Sequence, residues 1–333
     1  MDIALTVCIA TYNRASFIKE TIESITSQLE DGVEILVVDG ASTDNTSEVV
    51  EALARRCPAL RYVRLDKKGG VDQDYDRSVE LARGEYCWFF SDDDILKPGA
   101  VRAVLGAIPG GYSAIVANAE VRDVKLATTL SERRMPLLEN RDYADDESGK
   151  EQFFRDVAAY LSFIGGLIVN RKVWLSQERS RYHGTALAHV GVLFGGAWPG
   201  KARVLSDTWI AIRLGNSEWV GRRFDIWLFR WPALVWSFEK LSDASKAMVC
   251  RRQPWNRLRT LVFYRALRVY DEGRYQERLR PLVPGRARRA MMAAIARMPI
   301  AVARLAVMTY CFLRRDRMTL YVLRTDGSGK RRS

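Results

Sequence analysis

The sequence predicts an open α/β fold built on a mostly parallel sheet and followed by a mainly helical, basic extension. Three observations predict it. Short apolar, β-rich runs alternate with helical patterns through residues 1–121, each of the first four runs ends in polar residues, and the excess of positive charge lies beyond residue 221. Strands alternating with helices imply βαβ units and parallel pairing, and ligands of such sheets bind beyond the carboxyl ends of the strands.

The first strand is "IALTVCIA", residues 3–10, and it runs into Thr11, Tyr12, Asn13 and Arg14. A helical pattern follows, with Phe17, Ile18, Ile22, Ile25 and Leu29 on one face. "VEILVVD", residues 33–39, is a second buried strand ending at Asp39, and "STDNTSEVVEALARR" opens with capping residues and continues as a helix. "LRYVRLD", residues 60–66, alternates as a third strand and delivers Lys67 and Lys68; "YDRSVELA" is helical; "EYCWFF", residues 85–90, is a fourth strand that ends in Ser91, Asp92, Asp93 and Asp94. Residues 122–160 are mixed and charged, suited to a loop and a helix. "FIGGLIV", 163–169, and "ARVLS", before Asp207, are further strands.

With 333 residues, 48% of them hydrophobic and 28% charged, the chain has the composition of a globular protein with one large domain and an appendage. Its five cysteines form no CxxC pair, and Cys8 and Cys87 fall in buried strands, which points to a reducing compartment. The apolar N-terminal run is short and carries Asp2, so it reads as a strand rather than a signal peptide, and a cytoplasmic location is expected. From Arg222 to Ser333 there are 26 Lys and Arg against 8 Asp and Glu, a net +18, whereas residues 1–221 carry −6. Such a tail suits an anionic partner.

Three consecutive carboxylates raise one another's pKa unless something positive sits beside them. Two readings fit Asp92, Asp93 and Asp94: a cap for a helix starting near Pro98, or ligands of a divalent cation that holds a phosphate. No glycine in "ATYNR" lets the backbone approach a pyrophosphate, which argues against an NAD-dependent oxidoreductase. A metal is the more natural phosphate clamp.

"LTVCIATYNRASFIKETIESI", "EILVVDGASTDNT" and "GGVDQDYDRSVELARGEYCWFFSDDDILKPGA" resemble family 2 glycosyltransferases of the GT-A fold over Ile3 to Val121. "VDGASTDNT" and "GGVDQDYD" are most similar to the abequosyltransferase-type enzymes that add dideoxyhexoses during O-antigen assembly. The resemblance implies a GT-A, Rossmann-like nucleotide-sugar domain over residues 1–221, with a nucleotide-binding half at 1–121 and an acceptor half at 122–221. It further implies transfer from a CDP- or UDP-linked sugar to a polyprenyl-diphosphate-linked oligosaccharide. Thr11, Tyr12, Asn13, Arg14, Asp39, Lys68, Ser91 and Asp92 would hold the donor nucleotide, with Asp39 accepting from the base. Asp93 and Asp94 would take Mg²⁺ or Mn²⁺, although Ser91 departs from the family's DxD at its first position. An inverting displacement needs a base; the family's acidic pair is missing from "SRYHGTALAHVGVLFGGAW", which leaves His189 first, then His183, with Asp207 after them. A lone histidine in an apolar segment also suits plain packing. Asp72, Asp74 and Asp76 are either a solvated helix start or contacts to sugar hydroxyls, Asp72 and Asp74 being the sugar-binding candidates.

From residue 222 to 333, Trp227, Phe229, Trp231, Trp236, Phe238 and Trp255 interleave with arginines, and residues 290–313 are long and apolar but carry Arg297, Pro299 and Arg304. Amphipathic helices lying on the anionic inner face of the membrane fit this pattern, which would make the enzyme peripheral there. A solvated basic face of an ordinary helical subdomain is the plain alternative. Nucleic acid is not the expected partner, since no recognition motif accompanies the charge. The competing function is a non-catalytic protein of nucleotide-sugar fold whose tail binds a polyanion, RNA or lipid.

Overall fold

A computed structural model describes residues 2–196, 198–216 and 220–325. β1 (Leu5–Thr11), β2 (Val33–Asp39), β3 (Leu60–Arg64) and β4 (Tyr86–Phe90) pair in parallel in the order β3-β2-β1-β4, as the alternating pattern predicts. β1, β2 and β4 are apolar on both faces because α1 (Ile18–Thr26), α2 (Thr46–Ala54) and α3 (Val71–Leu81) cover the sheet. α1 buries Ile18, Thr21, Ile22 and Ile25, the stripe read from its spacing.

The sheet continues through β5 (Ile95–Leu96), β6 (Ala114–Arg122), β7 (Thr129–Ser131), β8 (Arg141–Tyr143), β9 (Leu167–Asn170) and β10 (Ala202–Arg213). β9 is antiparallel to both β4 and β6, and β10 runs parallel to β6, so the second half is a mixed sheet joined edge to edge with the first. Gly166, just before β9, has a packing reason: a Cβ there would lie 2.5 Å from the Tyr160 hydroxyl and 2.8 Å from the Ala117 carbonyl. Residues 122–160 hold more structure than their composition suggests, with β7, β8 and α5 (Glu147–Val157). α4 (Ala100–Ala107) starts after Gly99, with no side-chain cap, and β5 separates it from the acidic triplet. The capping reading of that triplet is thereby excluded.

The boundary drawn by charge at 221/222 is not a packing boundary. Ile226, Trp231, Leu234, Val235, Phe238 and Cys250 belong to the core built on the sheet, where Phe238 packs edge-on against Phe154 at 6.0 Å. A second core unites Phe224 and Leu228 with the helices Leu258–Ala266, Arg286–Arg297, Ile300–Leu313 and Arg317–Thr325. Trp231 and Phe238 are therefore core residues, and Trp255 stacks on Phe229 at 5.2 Å beneath Arg278. The aromatic belt expected at headgroup depth is largely internal packing.

Candidate active site

The carboxyl ends of β1 to β4 form one rim, and the polar residues read from the sequence converge there. Thr11 ends β1 buried, its hydroxyl without a hydrogen-bond partner. Asn13 adopts φ 55°, and its Oδ1 accepts from the Thr43 N–H at 2.7 Å while its own N–H donates to the Ser42 hydroxyl, which locks this loop to the one after β2. Lys68 Nζ sits 3.4 Å from the centre of the Tyr12 ring, a cation–π pair that places an ammonium on the rim. Asp74, near the start of α3, accepts from the Gly69 N–H at 3.2 Å and lies against Gly40, and burial raises its affinity for a proton.

Asp39 differs from expectation. Its side chain has no exposed surface; Oδ1 accepts from the Ser42 N–H at 2.8 Å and Oδ2 from the Tyr62 hydroxyl at 2.7 Å. The carboxylate organises the Asn13–Ser42 loops, and a direct contact with a base is closed to it in this conformation. Burial, with Asp39 as hydrogen-bond acceptor, pushes the Tyr62 phenol far above its ordinary pKa, so Tyr62 stays a donor.

At the end of β4, Arg14 supplies the positive charge that three adjacent carboxylates require. Its Nε is 3.3 Å from Asp92 and its Nη2 3.9 Å from Asp93. Asp93 accepts from Asn216 Nδ2 at 2.7 Å, and burial raises its pKa against the opposing pull of Arg14. Asp94 has turned inward: it is 2% exposed, accepts the Arg213 N–H at 2.8 Å and bonds to Ser91. Burial first, and Asp93 second, push its pKa well up. Asp94 thus ties β4 to β10 and is withdrawn from the metal-ligand role assigned to it. Arg213, which sequence reading missed, also donates to the Asp93 carbonyl at 2.8 Å and the Val124 carbonyl at 2.9 Å. Its position at the end of the alternating run "ARVLSDTWIAIR" was the available signal.

Asp92 and Asp93 fit a hard divalent cation. They are adjacent, carry only oxygen donors, and burial raises the Asp93 pKa even with Arg14 beside it, so a further cation would favour its charged form. Among the described residues no group of three or more His, Cys, Asp or Glu side chains is arranged to hold a metal ion by itself.

The three candidates for the base sit in different surroundings. His189 is buried on α7 (Ala188–Phe194), with Nε2 2.5 Å from the Leu161 carbonyl; a carbonyl only accepts, so Nε2 carries the proton and Nδ1 keeps a lone pair. Burial lowers its pKa, so the ring is neutral near pH 7. Its ring also feels the Asp72 charge, which opposes the effect of burial. His183 is paired with Asp76 at 3.2 Å. Asp207 sits on β10 at a bulge, six residues before Arg213, and pairs with Arg133 at 3.9 Å; its side chain is 69% exposed. Six strand residues span up to roughly 20 Å, so the strand carries Asp207 away from the rim and it is withdrawn as a base.

Asp72 is withdrawn as a sugar contact. Its oxygens accept the Ala186 N–H at 2.7 Å and the Ala188 N–H at 3.1 Å, fixing the start of α7.

Residues 6–164 match the glycosyl transferase family 2 model. The chain is 25% identical to the abequosyltransferase RfbV of Salmonella typhimurium over 198 residues, 57% of this chain and 60% of that one. It is 30% identical to the GalNAc(5)-diNAcBac-PP-undecaprenol beta-1,3-glucosyltransferase of Campylobacter jejuni over 115 residues, 34% of this chain and 37% of that one. The chain thus spans less than two thirds of the length of either relative. Among solved structures, S. aureus TarS 1-349 in complex with UDP-GlcNAc superposes with a TM-score of 0.58 at 14% identity, covering 96% of this chain and 90% of that one. The mannosyltransferase PcManGT from Pyrobaculum calidifontis, in complex with GDP-Man and Mn²⁺, gives 0.50 at 19% identity, covering 97% and 85%. Residues 6–164 thus resemble glycosyl transferase family 2, and the fold is that of the GT-A glycosyltransferase structures it superposes on.

Proposed function

We propose that the chain transfers a sugar, in its finer form a dideoxyhexose, from a CDP- or UDP-linked donor to a polyprenyl-diphosphate-linked oligosaccharide. The observation that carries this reading is the convergence of Arg14, Lys68, Asp74, Asp92 and Asp93 on one rim. Cleaving a glycosyl–phosphate bond builds negative charge on the departing diphosphate. Arg14 and Lys68 place fixed positive charge there, and fixed charge in a partly dry site needs no reorganisation as the bond breaks. Asp92 and Asp93 would hold Mg²⁺ or Mn²⁺, which when bound supplies further stabilisation of that charge. The complex of PcManGT with GDP-Man and Mn²⁺ supports the choice of metal, and the RfbV and Campylobacter relatives support the sugar and acceptor classes. His189, neutral and with Nδ1 unprotonated, is the group we assign to take the acceptor hydroxyl's proton.

The acceptor's lipid places the reaction at a membrane surface. Among the described residues no single helix is long and apolar enough to cross a bilayer, and the helices Arg286–Arg297 and Ile300–Leu313 are bent by 99° at Pro299. Ile300–Leu313 buries only Ala303, Val307 and Cys311, and leaves Val302, Leu305, Phe312 and Leu313 outward beside Arg314 and Arg315. This supports a peripheral helix on the anionic inner leaflet better than RNA binding.

Full-length protein with Mg²⁺ or Mn²⁺ and a panel of nucleotide sugars tests the proposal. One donor should be bound and slowly hydrolysed in a metal-dependent way, and His189→Gln should cut turnover at least tenfold with donor affinity unchanged. A panel without binding would leave the non-catalytic polyanion-binding alternative.

A further inference from the structure

A cavity of about 510 Å³ opens between the loop Arg181–Thr185 and the helical run through Arg230, Leu234 and Ser237. It is within the size range of small-molecule sites and is lined by two guanidiniums, Arg181 and Arg230, with the Thr185 and Ser237 hydroxyls. Both arginines are exposed. Arg230 donates to the Gly184 carbonyl at 2.7 Å and stays aimed at the loop. Gly184 has φ +84°, and a Cβ there would meet nothing within 4 Å, so the loop's backbone is open to a ligand.

The wall of this cavity is pinned at both ends by the helix that also serves the rim. Asp76 accepts from Arg179 Nε at 2.6 Å, Trp174 Nε1 at 3.0 Å and His183 Nε2 at 3.2 Å. Asp72 holds Ala186 and Ala188. Asp74, between them on α3, belongs to the rim. Arg179 is shared by Asp76 and Glu80, and Glu178 accepts from the Ser180 hydroxyl at 2.7 Å; the charged side chains that line the cavity itself are Arg181 and Arg230, with no carboxylate among the described lining residues. A braced loop that carries Arg181 and faces Arg230 favours a phosphate group, which guanidinium binds in a bidentate fork.

We propose that this cavity is a phosphate subsite that takes the diphosphate of the acceptor. The assignment of acceptor rests on the transferase reading above. Binding there fixes the acceptor against the loop that leads through Ala186 and Ala188 to His189, on an element rigidly joined to the donor rim. Donor and acceptor phosphates are thereby held by separate cations, Arg14 and Lys68 for one, Arg181 and Arg230 for the other.

The test titrates full-length protein with inorganic pyrophosphate by calorimetry, alone and with the donor site saturated by the nucleoside diphosphate and Mg²⁺. One pyrophosphate should still bind at saturation; Arg181→Gln and Arg230→Gln should each weaken it, and together by at least tenfold, with nucleotide affinity unchanged. Absence of the extra pyrophosphate, or its indifference to both substitutions, overturns the subsite. Pelleting with phosphatidylglycerol vesicles separates the phosphate sources. The double variant should pellet like the wild type, and loss of pelleting together with loss of pyrophosphate binding would overturn the acceptor assignment in favour of a lipid headgroup. Failure of nucleoside diphosphate to bind strikes the transferase reading instead, while the pyrophosphate stoichiometry still reads the cavity by itself.

Discussion

Asp72, Asp74 and Asp76 lie two apart on a helix, whereas Asp92, Asp93 and Asp94 are consecutive after a strand. Spacing decides what each group can do. On α3 successive members point in different directions, so Asp72 reaches the start of α7, Asp76 reaches Arg179 and Trp174, and Asp74 alone remains at the rim. At the end of β4 the chain cannot separate three consecutive charges, so it disperses them by contact: Asp92 and Asp93 face Arg14, and Asp94 turns into the protein. Two acids of the first group brace a loop. Two acids of the second are left as candidate ligands.

The comparison breaks most visibly at Asp93. Asp93→Asn keeps the shape and the Asn216 neighbour but removes the charge, so metal-dependent transfer should fall by a factor on the order of 10²–10³. The circular dichroism spectrum should be unchanged. Transfer within threefold of wild type would move Asp93 into the bracing class and leave the strand-end triplet without a chemical role.

The opposite outcome belongs to Asp76. It is 7% exposed and satisfies an arginine, an indole N–H and a histidine at once. Asp76→Ala leaves those donors unpaired and should lower unfolding stability by about 3 kcal/mol, the scale for breaking a buried charged pair. Urea unfolding measures this. A change under 0.5 kcal/mol would show that Arg179 and His183 are satisfied without it, and that the loop is not braced from α3.

The first half of the fold was legible because each buried strand is a continuous apolar run and each helix carries a clean stripe, as in "VEILVVD" and Ile18, Ile22, Ile25. The site was legible where strand ends deliver it, at Arg14, Lys68, Asp92 and Asp93. What the sequence hides is direction. Nothing local says that Asp39 faces Tyr62 or that Asp94 faces the backbone of Arg213, since those partners lie 23 and 119 residues away. The C-terminal region misled for a related reason. Aromatics at helical spacing look alike whether they meet lipid or protein, and only the packing of Phe238 on Phe154 and Trp255 on Phe229 shows that they meet protein. The exposed face of Ile300–Leu313 stands in a segment whose spacing was also ambiguous.

The smallest effect should come from Asp94, and its sign separates it from Asp76. Burial raises the folded pKa of Asp94 well above 3.8, so the folded state binds its proton more tightly than the unfolded chain does. Stability from this group is therefore present below the unfolded pKa and is lost as pH rises through the folded one. The buried carboxyl beside Asp93 becomes steadily more costly as pH rises, so near pH 8 Asp94→Asn, which keeps an oxygen for the Arg213 N–H, should stabilise the protein by on the order of 1 kcal/mol. The gain should shrink toward zero as pH falls toward 4, where Asp94 itself is protonated. Thermal unfolding of both proteins across that range reads the difference directly. A destabilisation at pH 8, or a gain that does not vary with pH, would mean that Asp94 is ionised and held by a cation after all, and would return it to the metal site.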